Sequence, residues 1–217
     1  MSLIAFEGID GAGKSTWIAL MEKILNPDKV LLTREPTGSD VGQLCRRAIE
    51  YDDPLPAAFF FAADHRGHIE STIKPALAEN KLVISDRYLH SHLAYQGATL
   101  DGVIPCSLQY LKDLYRPWTM APDVVIYLDL PVDVALARNA KVSSYDENKT
   151  LLEKVRANYH MLKKLDRAST IWITVDATKP VEVMLPKILG LLNLNPYLLP
   201  AHITHPVAQP GGVPVPP

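Results

Sequence analysis

Five short apolar runs lie along the chain, separated by stretches long enough to hold helices. They cover residues 3–7, 30–33, 82–85, 124–128 and 171–175. Apolar runs of this length are typical of strands buried on both faces. Because they alternate with helix-length segments, they favour a parallel sheet. The pattern predicts an α/β fold with a five-stranded parallel sheet covered by helices on both faces.

Two of the intervening segments carry a clear helical pattern. In residues 148–167, apolar positions recur at helical spacing and charged residues take the remaining surface. The apolar positions on this face are Leu151, Leu152, Val155, Tyr159 and Leu162. A second helix is predicted over residues 56–73. Pro75 is expected to kink or restart it, since proline lacks an N–H donor and clashes with the preceding turn.

A glycine-rich segment directly follows the first apolar run, and residues 8–15 complete the motif G-x-x-x-x-G-K-S. The segment is Gly8, Ile9, Asp10, Gly11, Ala12, Gly13, Lys14, Ser15 and Thr16. Its glycines allow loop N–H groups to surround a phosphate. Lys14 is then able to reach the β- and γ-phosphates of a nucleoside triphosphate, and the Ser15 hydroxyl to ligate Mg²⁺.

The residues around this segment support the same interpretation. After it, the apolar positions Trp17, Leu20, Met21, Ile24 and Leu25 fall on one helix face. Strand, glycine loop and helix therefore follow in the order that points a positive helix end at phosphate. A chance glycine-rich turn is the alternative, and it does not account for both flanks.

Composition places limits on the class of protein. The chain has 217 residues, of which 47% are hydrophobic and 21% charged, as in ordinary globular domains. A net charge of −2 supplies no basic field for nucleic acid or an anionic membrane. No apolar run approaches the roughly 20 residues of a membrane span. The first strand leads straight into the phosphate loop, so no signal peptide is expected, and a cytoplasmic protein is predicted.

The end of the chain differs from the rest. Seven prolines fall between Pro196 and Pro217, with little amphipathic periodicity. Such a segment is not expected to form a helix or a central strand. We therefore predict one domain over residues 1–194 and a proline-rich extension over residues 195–217, which either lies poorly ordered or binds a partner.

Charged residues follow the second and third predicted strands, where ligands bind in open α/β sheets. Arg34 is suited to clamp a second phosphate, although it could equally be a surface arginine paired with Glu35. Asp86 suits a Mg²⁺ ligand, and Arg87 beside it could neutralise a transferred phosphoryl group. A structural ion pair between Asp86 and Arg87 is the alternative.

Aromatic residues occur between the second and third predicted strands and again after the third. Residues 59–61 are three phenylalanines in a predicted helix, and Ser91, Tyr95 and Gln96 come later. Adjacent helical positions point about 100° apart, so one phenylalanine could face a flat base while the others fill the core. His65 and His68 have metal-like spacing, but no further ligands are evident in the sequence.

Together these segments resemble thymidylate kinases. The matching stretches are residues 6–16, 33–36, 61–64, 86–88, 94–97, 122–123 and 176–177, in the family's order and spacing. The resemblance covers about residues 3–193. It implies a three-layer P-loop kinase fold, a homodimer, and transfer of a phosphoryl group from MgATP to dTMP.

The resemblance also implies roles for individual residues. Asp10 would lie near the acceptor sugar and the metal, and Asp86 with Ser15 would organise Mg²⁺. Arg34 and Arg87 would hold the acceptor phosphate. Phe61 would stack on thymine, Tyr95 would lie against C2′ of the sugar, and Gln96 and Ser91 would lie nearby. A lid over ATP would span residues 138–147 and carry Arg138, with Asp176 also on the ATP side.

Two positions depart from the family pattern. Where the family places an arginine for the thymine edge, four residues after the stacking phenylalanine, this chain has His65, with Arg66 next to it. We expect one of these two to read the base. The lid offers only Arg138 and Lys141, so Lys141 is predicted to take part in catalysis.

Two rival functions follow from the same residues. His65 leaves open a kinase for another pyrimidine monophosphate, such as dUMP or UMP. A non-catalytic, nucleotide-dependent regulatory protein that docks through its proline-rich extension is the rival from another class.

Overall fold

A computed structural model describes residues 2–138, 149–166 and 170–199. Five parallel strands form one sheet in the order β2-β3-β1-β4-β5. The strands are β1 (Leu3–Glu7), β2 (Val30–Arg34), β3 (Leu82–Asp86), β4 (Val124–Asp129) and β5 (Ile171–Asp176). The five predicted strands are confirmed, and all but β1 extend one residue further at the carboxyl end.

The helices alternate with these strands and cover both faces of the sheet. They are α1 (Lys14–Ile24), α2 (Asp40–Ala48), α3 (Leu55–His68), α4 (Lys74–Ala78), α5 (Leu89–Thr99), α6 (Ser107–Tyr115), α7 (Val132–Arg138), α8 (Lys149–Leu165) and α9 (Val181–Leu191). Aliphatic and aromatic side chains of β1, β3 and β4 are almost fully buried between the two helical layers. The predicted α/β fold class is therefore confirmed.

The sheet register brings three strand ends to one place. Phe6 of β1 lies beside Asp86 of β3, and Arg34 of β2 lies on the other side of Asp86. The segments that leave β1, β2 and β3 consequently emerge side by side at the carboxyl edge of the sheet. This edge is where ligands bind in open parallel sheets.

The helix that starts near residue 56 changes character before Pro75. Helix α3 is followed by a π-helical turn, Ile69–Ile73, and then by α4, in which Pro75 occupies the first turn. The Lys74 N–H donates to the Ile69 carbonyl oxygen, five residues back, so the turn before Pro75 is wider than an α-helical turn. The predicted interruption is confirmed, and it takes the form of one widened turn.

Helix α8 presents the predicted apolar face to the core. Leu152, Val155, Tyr159 and Leu162 are buried, and Leu151 is half-buried. The helix packs on α5, where the side-chain amide of Asn158 donates to the Ala94 carbonyl oxygen at 2.9 Å. The predicted termini at residues 148 and 167 lie outside the described residues.

A buried carboxylate ties these helices to the sheet. Glu7, at the end of β1, accepts the N–H groups of Tyr88 at 3.0 Å and Ser91 at 3.2 Å, at the start of α5. The Ser91 hydroxyl also donates to Glu7, and the Tyr159 hydroxyl of α8 does so at 3.0 Å. The Glu7 side chain thereby accepts hydrogen bonds from N–H groups at the N-terminus of α5 that have no partner within the helix. Through Tyr159 it also holds α8 against the end of β1.

The first part of the predicted extension is docked on the domain. Residues 195–199 include a 3-10 turn, Asn195–Tyr197, and a bridge between Leu198 and Leu25 at the end of α1. The Leu199 N–H donates to the Ile24 carbonyl oxygen at 2.8 Å. Residues 200–217 lie outside the described part, so the domain boundary stays a prediction. Within the described ranges, no helix has the length and apolarity needed to cross a membrane.

Candidate active site

The glycine-rich loop lies between β1 and α1 and adopts conformations that require glycine. Gly8, Gly11 and Gly13 have φ values of 147°, 82° and 90°. A Cβ on Gly11 would lie 2.3 Å from the Ala135 carbonyl oxygen in the middle of the neighbouring helix α7. Neither the backbone angle nor the space therefore admits a side chain at Gly11.

Lys14 is folded back over this loop. Its buried Nζ donates to the carbonyl oxygens of Gly8 and Ile9, both at 2.9 Å, and lies 3.8 Å from Asp10. Burial, helped by repulsion from Arg87, lowers the pKa of Lys14 to about 8. The ammonium group stays mostly protonated at neutral pH, and a bound phosphate could draw it from the two carbonyls.

A cavity of about 610 Å³, here called the loop cavity, opens beside the loop. It gathers the residues predicted for the phosphates: Asp10, Gly11, Ala12, Gly13, Lys14, Ser15, Thr16, Arg34, Asp86, Arg87, Arg138 and Asp176. Gly8 and Ile9 of the loop do not line this cavity, and their carbonyl oxygens accept hydrogen bonds from Lys14. Lys141 and the rest of the predicted lid after Arg138, residues 139–147, lie outside the described residues.

Arg138 closes the far wall of the loop cavity. Its guanidinium donates to the carbonyl oxygens of Ala177 at 2.7 Å and Thr178 at 3.3 Å, just after β5. These contacts join the end of α7 to the end of β5 and place a planar cation at the cavity wall.

Asp86 and Ser15 both line the loop cavity and carry side-chain oxygen atoms. Asp86 Oδ1 is buried and has no hydrogen-bond partner among the described residues, so a carboxylate oxygen is left over. The Ser15 side chain is exposed on the first turn of α1. Mg²⁺ prefers carboxylate and hydroxyl oxygens of this kind, and the two residues fit it.

Arg87 is held in a strained conformation directly after β3. Its φ of 66° is uncommon for a residue with a side chain. The guanidinium forms an ion pair with Asp10, lies 3.3 Å from the Ser91 hydroxyl, and sits 5.0 Å from the centre of the Tyr95 ring. The alternative interpretation of the sequence predicts a structural ion pair between Asp86 and Arg87, whereas the guanidinium pairs with Asp10.

A second cavity of about 190 Å³, here called the aromatic cavity, adjoins the first. Its walls include Phe61, Ser91, Tyr95 and Gln96, all predicted for the acceptor. Asp10, Glu35 and Arg87 line both cavities, so the two meet at these side chains. The Tyr95 hydroxyl donates to Asp10 Oδ2 at 2.9 Å, which fixes the ring in the wall.

The structure does not bring His65 or Arg66 to the aromatic cavity. His65 is fully buried, with Nδ1 2.9 Å from Glu35 Oε1 and Nε2 2.9 Å from the Thr119 hydroxyl. Arg66 is half exposed on the outside of α3 and pairs with Glu70 at 2.7 Å. The helix turns both side chains away from the cavity, so neither is placed to read a base there.

Two residues that sequence reasoning missed do line the aromatic cavity. His92 of α5 reaches it from the core, and Arg46 of α2 closes its rim with hydrogen bonds to the carbonyl oxygens of Pro36 and Thr37 at 2.6 and 2.8 Å. The only sequence signal for His92 is its place one helical turn before Gln96, on the same face of α5.

We expect thermal stability to fall as the pH is lowered from 7.5 to 5.5. Burial lowers the pKa of His65 below its usual 6.5 in the folded protein. The unfolded chain takes up a proton that the folded protein resists, so this stability is fully present above about pH 6.5 and is lost below it. Calorimetric Tm values across this range measure the effect.

A variant separates His65 from other titrating groups. His65→Gln keeps a donor and an acceptor but does not titrate, so its Tm should depend less on pH in this window. His160→Gln, at a half-exposed position on α8, should retain the wild-type dependence. A wild-type Tm that does not change between pH 7.5 and 5.5 contradicts the prediction.

A phosphate loop joined at the carboxyl edge of a parallel sheet to a second, aromatic cavity defines a P-loop kinase that acts on small molecules. The family model for thymidylate kinase matches residues 6–188, most of the chain. This protein belongs to the thymidylate kinase family.

Several curated proteins are similar over most of their length. The chain is 45% identical over 183 residues to a probable thymidylate kinase of Methanoculleus marisnigri, covering 83% of this chain and 88% of that protein. It is 41% identical over 186 residues to one of Methanospirillum hungatei, covering 84% and 89%. It is 39% identical over 186 residues to one of Halobacterium salinarum, covering 84% and 91%.

Proposed function

We propose that this protein transfers the γ-phosphoryl group of MgATP to dTMP, giving ADP and dTDP. The observation that carries the proposal is the junction of the two cavities at Asp10 and Arg87. A triphosphate on the loop and a monophosphate at Arg87 would face each other at this junction.

On the ATP side, the chain supplies positive charge and little covalent chemistry. Loop N–H groups and Lys14 would stabilise charge on the transferred group as it leaves ADP. Lys14 would exchange its two loop carbonyls for phosphate oxygens. Arg138 and Asp176 lie where they could contact the rest of the nucleotide, and Lys141 remains a predicted catalytic residue.

On the acceptor side, cations and an aromatic ring would orient dTMP. Arg34 and Arg87 would align its phosphate for in-line attack, which lowers the entropic cost of the reaction. Phe61 would offer a π-face for the base, and the Tyr95 ring would disfavour a ribose hydroxyl. Because a phosphate monoester oxygen is already nucleophilic, no dedicated general base is required.

Asp86 and Ser15, with Asp10 nearby, would hold Mg²⁺. When bound, the ion would neutralise β- and γ-phosphate charge during transfer. We further propose that the protein works as a cytoplasmic homodimer that uses no nucleic acid, in line with its family resemblance and its net charge of −2.

The test is ADP formation from MgATP with dTMP, dUMP, UMP and dCMP side by side, against a reaction without acceptor. We expect the highest kcat/KM with dTMP. A preference for UMP contradicts the role of Tyr95 and favours the rival pyrimidine kinase. Binding of ATP without transfer to any of the four contradicts the proposal and favours the regulatory alternative.

A further inference from the structure

A buried carboxylate collects three histidines behind the aromatic cavity. Glu35 lies 2.9 Å from His65 Nδ1, 2.7 Å from His68 Nδ1 and 2.5 Å from His92 Nε2. Burial alone raises the pKa of Glu35, but attraction to His65 and hydrogen bonds from the three rings hold it well below 4.5. An ionised carboxylate only accepts, so each facing nitrogen carries its hydrogen.

The ring nitrogens that point away from Glu35 differ in their hydrogen-bond partners. His65 Nε2 lies 2.9 Å from the Thr119 hydroxyl, and His68 Nε2 lies 2.7 Å from the Thr33 hydroxyl, and each hydroxyl can donate to its ring. For His92 Nδ1, the described residues provide no hydrogen-bond partner. In a neutral ring held this way, Nδ1 is an acceptor with an open lone pair.

Of the three histidines, His92 lines the aromatic cavity and has the open nitrogen. Glu35 lines the same cavity. The His92 ring centre lies 5.2 Å from that of Phe61, the proposed stacking residue, and the His92 ring is only 3% exposed. Gln96, one turn later on the same face of α5, also lines the cavity and has a buried Oε1 without a partner among the described residues. Buried polar atoms of this kind usually have partners.

We propose that His92 determines which base is accepted, with its Nδ1 accepting a hydrogen bond from the N3–H of thymine or uracil. Cytosine presents a lone pair at N3, which would face the lone pair of Nδ1. Glu35 is the positioning residue, because it fixes the tautomer that leaves Nδ1 as an acceptor. This inference rests on the proposed phosphorylation of dTMP and assigns its base selection.

A transition-metal site formed by Glu35, His65 and His92 is the competing interpretation of this cluster. Tetrahedral zinc with bonds of about 2.0–2.1 Å would hold its ligand atoms roughly 3.3 Å apart. The nitrogen–oxygen distances of 2.5 to 3.0 Å are those of hydrogen bonds. His68 also lies against Glu35 as a further hydrogen-bond donor, so the carboxylate is fully used without an ion.

The test compares His92→Leu and His92→Gln with the wild type, using dTMP and dCMP as acceptors and His160→Gln as control. We expect His92→Leu to raise the KM for dTMP about 10- to 100-fold with little change in kcat. Its KM for dCMP should not rise, so that selectivity collapses. The amide of His92→Gln should restore part of the selectivity, and the control should behave as wild type.

The inference is overturned if His92→Leu leaves the ratio of kcat/KM for dTMP to that for dCMP unchanged. An equal fall in kcat/KM with both substrates would give this result and would indicate a purely structural role. A wild type that phosphorylates neither nucleotide contradicts the proposed function instead. Equilibrium binding of dTMP and dCMP to the same variants then tests His92 alone.

Glu35→Gln tests the positioning role separately. A glutamine can donate to His92 Nε2, which would release the opposite tautomer with a hydrogen on Nδ1. We expect the ratio of kcat/KM for dTMP to kcat/KM for dCMP to fall. A retained ratio in a folded Glu35→Gln protein, with Tm measured alongside, removes Glu35 from base selection.

Discussion

Lys14→Ala is expected to lower kcat for phosphoryl transfer about 10²- to 10³-fold, the cost of removing one preorganised charge from a transition state. The side chain is buried at the loop, and its ammonium lies 2.9 Å from two carbonyl oxygens that a phosphate would replace. No other described cation lies within the loop itself to take over this position. Single-turnover assays at saturating ATP and dTMP measure the chemical step directly.

Lys23→Ala is the matched control for this variant. Lys23 is exposed in the last turn of the same helix, α1, and does not line either cavity. It should leave kcat within a factor of about two, as expected of a surface substitution away from the site. If Lys14→Ala keeps wild-type turnover, the mechanism proposed for the loop is wrong.

Arg87→Met is expected to lower kcat/KM for dTMP about 10²- to 10³-fold, because a charge-assisted bidentate contact to phosphate is lost. Methionine preserves much of the apolar stem but not the charge. The substitution also removes the positive charge of Arg87 from beside the Asp10 carboxylate, so that repulsion between this carboxylate and the acceptor phosphate is less well compensated. Steady-state kinetics with dTMP varied measure the change.

Arg47→Met on the exposed face of α2 is the control and should match the wild type. The KM for ATP gives a second check, since Arg87 is proposed to act mainly on the acceptor. An unaltered kcat/KM for dTMP in Arg87→Met would falsify its assignment to the acceptor phosphate.

Local patterns sufficed for the sheet and the phosphate loop. The strands are continuous apolar runs, and the loop motif fixes backbone shape through Gly8, Gly11 and Gly13, which act within a few residues of each other. The interruption at Pro75 was also predictable, since a missing N–H acts on its own turn. Each of these features depends on neighbours in the sequence.

The histidine cluster could not be predicted, because it depends on contacts between distant parts of the chain. Glu35 and His92 are brought together across the sheet edge, and His65 reaches them from α3. Helix α5 is buried all round from Leu89 to Ala98, so it has no polar face to show which side meets a ligand. The expectation for His65 rested on its distance from Phe61 in the sequence, which does not reveal that Glu35 holds it in the core.

The arrangement around Glu7 limits how this protein can be varied in the laboratory. Its carboxylate serves donors from Tyr88, Ser91 and Tyr159 at once. Exchange of a single member leaves buried polar groups without partners, whereas exchange of both members of a hydrogen bond for apolar groups of similar shape can be nearly neutral. A library that randomises Glu7, Ser91 and Tyr159 one at a time should therefore return mostly wild type. Joint randomisation should recover new folded combinations, provided that position 7 keeps an acceptor for the backbone N–H groups of Tyr88 and Ser91.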